Sequence, residues 1–233
     1  MKCAIMQPTY LPWSGYFNLI ANVDIFVFLD DVQYVSREWQ NRNRILLSGK
    51  PHWITVPVKR LHQTQKIYTI EVDDEQEWRV KHIKMLSHAY SKHPYKEEVI
   101  SLVSTILEDK SITHLSSLNV KLVQAFCARL ALNLNTRFIR ASELHNVSGK
   151  RSEHLLKICT HLGCNEYLSP VGAKNYLQED GDFQNSGVKL TFQDFTPKYY
   201  PQKNQEYFVS HLSIVDVVAN IGWTASRDYI YGD

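Results

Sequence analysis

The run Val23-Asp24-Ile25-Phe26-Val27-Phe28-Leu29 carries a single polar side chain. A strand this apolar needs cover on both faces, which a sheet with one wet face does not provide. It predicts a central strand of a parallel sheet with helices on each side, and so confines the chain to the α/β class. Other apolar runs of strand length recur at residues 4–6, 52–58, 136–139, 166–168 and 188–192. Helical patterns separate several of them. Residues 148–162 place Leu155, Leu156, Ile158, Cys159 and Leu162 on one face and stop at Gly163, a suitable C-cap. Residues 212–221 read as a helix with Ser213 as N-cap and Gly222 as its stop.

Between residues 75 and 133 the strand signals vanish. Three helical stretches, 75–90, 95–108 and 113–132, are separated by Pro94 and by Ser111-Ile112-Thr113. The expected architecture is a Rossmann-like α/β core of residues 1–74 and 134–233, mostly parallel in its sheet, with an all-helical insertion at 75–133.

A formal charge of +2 over 233 residues gives no global reason to invoke nucleic acid or an anionic membrane. No apolar run is long enough to span a bilayer. The N-terminus has neither a basic segment nor a cleavage site of the secretory kind. Cys3, Cys127 and Cys159 lie in apolar patterns and, with Cys164, read as core thiols of a reducing compartment, so a cytoplasmic location is expected. Cys159 and Cys164 have His154 and His161 nearby, but the spacing matches no standard zinc pattern, and no metal site is assigned.

The candidate site residues fall in segments that follow strands. Gln7, Pro8, Tyr10, Trp13, Gly15 and Tyr16 form a turn between the first strand and a helix, where two prolines fix φ and Gly15 allows close approach. The alternative is a rigid connection whose aromatics fill the core. Asp30 and Asp31, with Gln33, end the second strand, where carboxylates could grip an ammonium group, a ribose or a metal, or simply hold a turn. Trp39, Asn41, Arg42 and Asn43 form a dense hydrogen-bonding patch suited to an anion or a sugar, or else a solvated loop. His88 and His93 flank a helical hinge and could transfer protons, or serve as capping or core groups. Ser169, Gly172 and Ala173 repeat the opening pattern, with Ser169 as N-cap, Pro170 in the first helical position, and Lys150-Arg151 adding positive charge. If the first strand and the strand before Ser169 are neighbours, both turns open on one sheet edge, where doubly wound folds bind nucleotides.

Together these segments resemble the WbqC-like family. The recurrent elements stand here as Gln7-Pro8-Thr9-Tyr10-Leu11-Pro12-Trp13-Ser14-Gly15-Tyr16-Phe17, Asp31-Val32-Gln33, Trp39-Gln40-Asn41-Arg42-Asn43, Trp53-Ile54-Thr55-Val56-Pro57-Val58 and Tyr167-Leu168-Ser169-Pro170-Val171-Gly172-Ala173. Tyr199-Tyr200-Pro201-Gln202 and Leu212-Ser213-Ile214-Val215-Asp216 fit as well, so the resemblance covers essentially the whole chain. It implies a role with bacterial surface polysaccharide (O-antigen) precursors, as attachment of glycine or another acyl group to an amino sugar. In layout, residues 9–20 are also similar to the His-x-Gly-His turn of nucleotidyltransferases, with Trp13 and Tyr16 at the two histidine positions. Neither side chain supplies the cation those enzymes use against phosphate.

Three functions follow as expectations. The first is a transferase or amide-forming ligase that activates a small acid with ATP and Mg2+ and joins it to an amino sugar on a nucleotide-linked sugar. In it, Asp30 or Asp31 binds the amine or the metal, Arg42 holds phosphate, and His88 or His93 accepts the amine proton. The second uses an already activated donor, acyl-CoA or aminoacyl-tRNA. A charged tRNA is the one nucleic acid considered, and only scattered Lys and Arg are available to hold it. The third is a non-catalytic sugar- or nucleotide-binding protein. The sequence leaves the sugar, the donor and the oligomeric state open.

Overall fold

A computed structural model describes residues 1–59, 64–203 and 207–232. Five strands, β1 (Lys2–Met6), β2 (Ile25–Phe28), β5 (Arg137–Arg140), β6 (Glu166–Ser169) and β7 (Lys189–Phe192), form one sheet in the order β5-β2-β1-β6-β7. Every pairing in it is parallel. The order reverses between β1 and β6, the switch point at which Rossmann-like sheets open a crevice beyond the carboxyl ends. The strands that carry the two expected turns are therefore neighbours.

The pleat explains the apolar run. Phe26 and Phe28 point to one face, where α1 (Ser14–Ala21), α2 (Trp78–Ala89), α3 (Lys96–Leu107), α4 (Leu115–Arg129) and α7 (Ile214–Tyr231) build one hydrophobic cluster. Ile25 and Val27 point to the other, where α5 (Arg151–His161) and α6 (Lys174–Asp180) close a second cluster with Cys3, Ile5, Ile158 and Tyr167. The three inserted helices thus share a core with α1, α7 and the sheet. All four cysteines are free and buried.

Two expectations change. Residues 52–58 do not join the main sheet: β4 (Lys50–Thr55) pairs antiparallel with β3 (Arg42–Leu47), within the patch weighed as a loop. Ser48 (φ 48°) and Gly49 (φ 77°) make the two-residue, left-handed turn that matches strand twist in hairpins. The expected stop at Gly222 stands: the helical conformation breaks there (φ 77°, ψ 176°), and a second helical run continues beyond the kink to Tyr231. A Cβ at Gly222 would lie 2.9 Å from the Tyr95 ring. Ser169 is not an N-cap: its hydroxyl donates to the Pro170 carbonyl, and a 3₁₀ turn over Val171–Ala173 precedes α6. The Ser213 cap stands, accepting from the Val215 N–H.

Candidate active site

A cavity of about 840 Å³ opens at the carboxyl edge of the sheet. The segment after β2 supplies Asp31, Val32 and Gln33, the first turn of α5 supplies Arg151, His154 and Leu155, and Tyr176 of α6 closes the far wall. Parallel strands force this arrangement. The loop that leaves β2 and the loop that enters α5 must both lie at the carboxyl edge.

Inside the cavity, His154 Nε2–H donates to Asp31 Oδ2 at 2.9 Å, and both side chains are almost wholly buried. This fixes the ring proton on Nε2 and, in the neutral imidazole, leaves Nδ1 as an acceptor. Asp31 Oδ1 and His154 Nδ1 have no hydrogen-bond partner among the described residues, although both are buried. Buried polar atoms are normally satisfied, so this pair is two hydrogen bonds short of what a ligand or water would supply. Lys66, Lys150 and Arg151 line the same cavity. Arg151 also pairs with Asp180 at 3.0 Å and lies over the Tyr176 ring. Lys150, the residue before α5, offers no side-chain cap, so the positive end of the helix macrodipole adds to these cations. Gly149 is needed where the loop crosses the helix start: a Cβ would sit 3.0 Å from the His154 backbone. One carboxylate–imidazole pair and a cationic rim can hold an ammonium group beside an acidic one.

The remaining candidates lie elsewhere. Asp30 is fully buried, and its oxygens accept from Ser116 Oγ at 2.9 Å and the Ser142 N–H at 3.0 Å. His88 is exposed near the end of α2, and His93 packs its ring on Tyr90. Burial, and then nearby Lys203, hold His93 below the ordinary histidine range. Gly172 is exposed with open space where a Cβ would go, while Ser169 and Ala173 are buried. None of these lines the cavity.

The opening turn is mainly a buried hydrogen-bonded frame. Tyr10 O–H reaches His82 Nδ1 at 2.9 Å, and burial pushes that histidine down to about 4. Tyr16 O–H donates to the Gln7 carbonyl, Gln40 Nε2 donates to Gln7 Oε1, and Asn119 donates to the Pro8 carbonyl. Asn43 Nδ2 donates to the carbonyls of Tyr10 and Leu11, and Asn41 Nδ2 to that of Val56. Trp13 lies across Gly15, where a Cβ would come within 2.2 Å of the indole, and its ring meets that of His211 at 4.5 Å with the planes tilted by 38°. Arg42 and Trp39 stand on the outer face of the hairpin.

His154, Lys66 and Tyr176 were not singled out in the sequence as site residues. His154 stood out only beside two cysteines. The available signal was its place one turn after Lys150-Arg151, at the start of a helix that returns from the sheet edge.

A family model described as the WbqC-like protein family matches residues 7–228. An uncharacterized protein of Mycobacterium tuberculosis is 34% identical over 232 residues, which covers 98% of this chain and 97% of that protein. No solved structure matches the chain.

Proposed function

The chain belongs to the WbqC-like protein family, and on that premise we propose that it is an enzyme of bacterial surface-polysaccharide precursor biosynthesis. It joins an acyl or aminoacyl group, such as glycine, to the amine of a nucleotide-linked amino sugar. The observation that carries this reading is the Asp31–His154 pair, with its two unpartnered atoms, set in a cavity rimmed by Lys66, Lys150 and Arg151. The sugar's ammonium group binds at Asp31 Oδ1. The ammonium proton passes to Asp31 Oδ1, and His154 holds that carboxyl group in orientation through its Nε2–H. The neutral amine then attacks the acyl carbonyl, a C–N bond forms, and the activating group leaves with its bonding electrons and takes up the second proton that the nitrogen sheds. The nucleotide diphosphate lies against the lysines and the first turn of α5.

Activation of the acid with ATP and Mg2+ belongs to the same reading. Lys66, Lys150 and the α5 N-terminus suit a phosphate chain. A magnesium ion would be held by Asp31 during activation, before the amine occupies that carboxylate, and would neutralise phosphate charge; among the described residues no three His, Cys, Asp or Glu converge. ATP would supply the energy for the acid to become an electrophile. An acyl-CoA or aminoacyl-tRNA donor would need no such step.

The test is a paired measurement on wild type, Asp31→Asn and His154→Asn. Binding of UDP-linked amino sugars is followed by calorimetry. Acyl transfer from glycine with ATP and Mg2+, or from glycyl-CoA, is followed by mass spectrometry. Turnover lower by about 100-fold is expected for both variants, with binding within a few-fold of wild type for His154→Asn and weaker for Asp31→Asn, which loses the partner of the ammonium group. Undiminished turnover in both would reject the site. Binding without turnover by any donor would favour a sugar-nucleotide binding protein.

A further inference from the structure

The outer face of the β3–β4 hairpin holds an aromatic and cationic cluster that the cavity does not use. Trp39 and Trp53 are 44% and 40% exposed, and their rings meet at 5.1 Å with planes tilted by 43°. Arg42 and Arg44 are two apart on β3, so they project from one face, and Arg44 stands opposite Trp53 in the register. The Arg42 guanidinium lies 4.1 Å from the Trp53 ring centre, and that of Arg44 lies 5.8 Å from both indoles. Two like charges crowd one indole, yet among the described residues no carboxylate pairs with either. The Nε atoms of both arginines are buried without a partner. Among the described residues, the guanidinium groups make one hydrogen bond, a long one from Arg44 Nη2 to the His211 carbonyl at 3.5 Å. His211 is held below the ordinary histidine range by burial and then by Arg44, which marks the local potential as positive.

Exposed indoles of this size are uncommon on a monomer surface unless something covers them. A ligand suited to this face needs a flat ring for the indoles and adjoining anionic oxygens for the guanidinium forks. We propose that the Trp39–Trp53–Arg42–Arg44 face binds a nucleotide, with the base against the indoles and the phosphates on the two arginines. A neutral sugar would leave the two charges unanswered. A polynucleotide would need a wider basic footprint than a chain of net charge +2 offers. The site goes beyond the cavity reading. In a two-substrate enzyme it gives a second phosphorylated substrate a place of its own.

The experiment is titration of ADP and UDP with indole fluorescence as readout. No tryptophan is among the described residues that line the cavity, and the Trp53→Phe variant assigns the quenching to the hairpin rather than to Trp13, Trp78 or Trp223. Saturable quenching is expected in wild type, with binding weaker by about tenfold or more in the Arg42→Gln/Arg44→Gln double variant. Trp53→Phe, which keeps an aromatic ring on the hairpin, should lower the quenching amplitude, and it stands in if the double variant does not fold. Asp31→Asn should leave the curve unchanged. Absence of saturable quenching would overturn the proposal. So would its loss in a Lys66→Gln/Lys150→Gln variant and not in the arginine variant, which would put the nucleotide in the cavity. Displacement of ADP by equimolar inorganic phosphate would reduce the site to an anion contact. Markedly tighter binding of a short single-stranded oligoadenylate would reassign it to a nucleic-acid strand.

Discussion

Asn43 shows how one side chain decides what its neighbours do. Its amide donates to two successive carbonyls, those of Tyr10 and Leu11, at 3.1 and 2.9 Å, in a nearly solvent-free position. Leu11 sits at φ 42°, a left-handed conformation that a leucine adopts only under constraint. Asn43 is thus the clamp on a strained turn. Asn43→Ala would leave two buried carbonyls short of a donor and is expected to lower stability by about 2–4 kcal/mol, read as a shift in the urea midpoint at unchanged slope. The same logic applies across the polar motifs. Gln7, Gln40, Asn41, Asn43 and Asn119 look like ligand-binding residues because they are amides beside aromatics. They hydrogen-bond backbone or one another because that is what a buried, irregular loop requires. Asn41 and Asn119 also keep a buried oxygen unpartnered, as Asp31 does; Asp31 differs from them in lining the cavity and in pairing with His154.

Among the elements, α7 and the β3–β4 hairpin depart most from the linear reading. A glycine after an apolar helical stretch normally marks the end of a helix. Here the first helical run does end at Gly222, and a second, beyond the linear reading, continues from the kink to Tyr231; the Tyr95 ring occupies the space a side chain at Gly222 would take, and Tyr95 N–H bonds the Ala219 carbonyl at 3.2 Å. Gly222→Ala would meet both the positive φ and the ring. A loss of about 2 kcal/mol or more is expected, with a lower thermal midpoint in calorimetry. The hairpin was hidden for a different reason. Its inner face, Asn43, Ile45 and Ile54, is buried, while its outer face carries Arg42, Arg44 and Trp53, so residues 39–45 read as uniformly polar. The strand period becomes visible once the Ser48-Gly49 turn sets the register.

For the molecule as a whole, the inserted helices and the sheet stand or fall together. Phe17 packs on Phe126 at 5.9 Å, and the cluster that unites them includes Phe26, Leu122 and Val218. A chain in which residues 75–133 are replaced by a short linker is expected to lack near-UV circular dichroism and dispersed amide resonances, since one face of the sheet would be bare. A buried charge network also couples stability to pH. Asp216, at the start of α7, accepts from Tyr200 O–H at 2.7 Å, and burial outweighs these bonds to push its carboxyl up to about 6. Its folded value lies above its unfolded value near 4, so the folded state binds the extra proton between them. Stability from this group is therefore full below about pH 4 and lost as pH rises to about 6. Relative to wild type, Asp216→Asn should gain about 2 kcal/mol between those limits and change no further above them, as measured by urea midpoints at several pH values. His82 acts in the opposite sense: its depressed folded value, near 4, lowers stability as pH falls from its unfolded value near 6.5.

The sequence by itself determined the α/β class, the parallel character of the sheet, the helical stretch between its halves and the family. These rest on local periodicity and on motifs that lie along the chain. Residues 23–29 could not be covered in any other way, and the caps at Gly163 and Ser213 act within one turn of where they stand. Only the tertiary structure decided which polar residues meet. Asp31 and His154 are far apart in the chain and come within 2.9 Å because β2 and α5 share an edge of the sheet. No periodicity encodes that distance. The same packing decided that Asp30, one residue away, is satisfied on both oxygens while Asp31 is not. Adjacent residues leaving a strand end point in different directions, one toward α4 and the Ser142 turn and the other into the cavity.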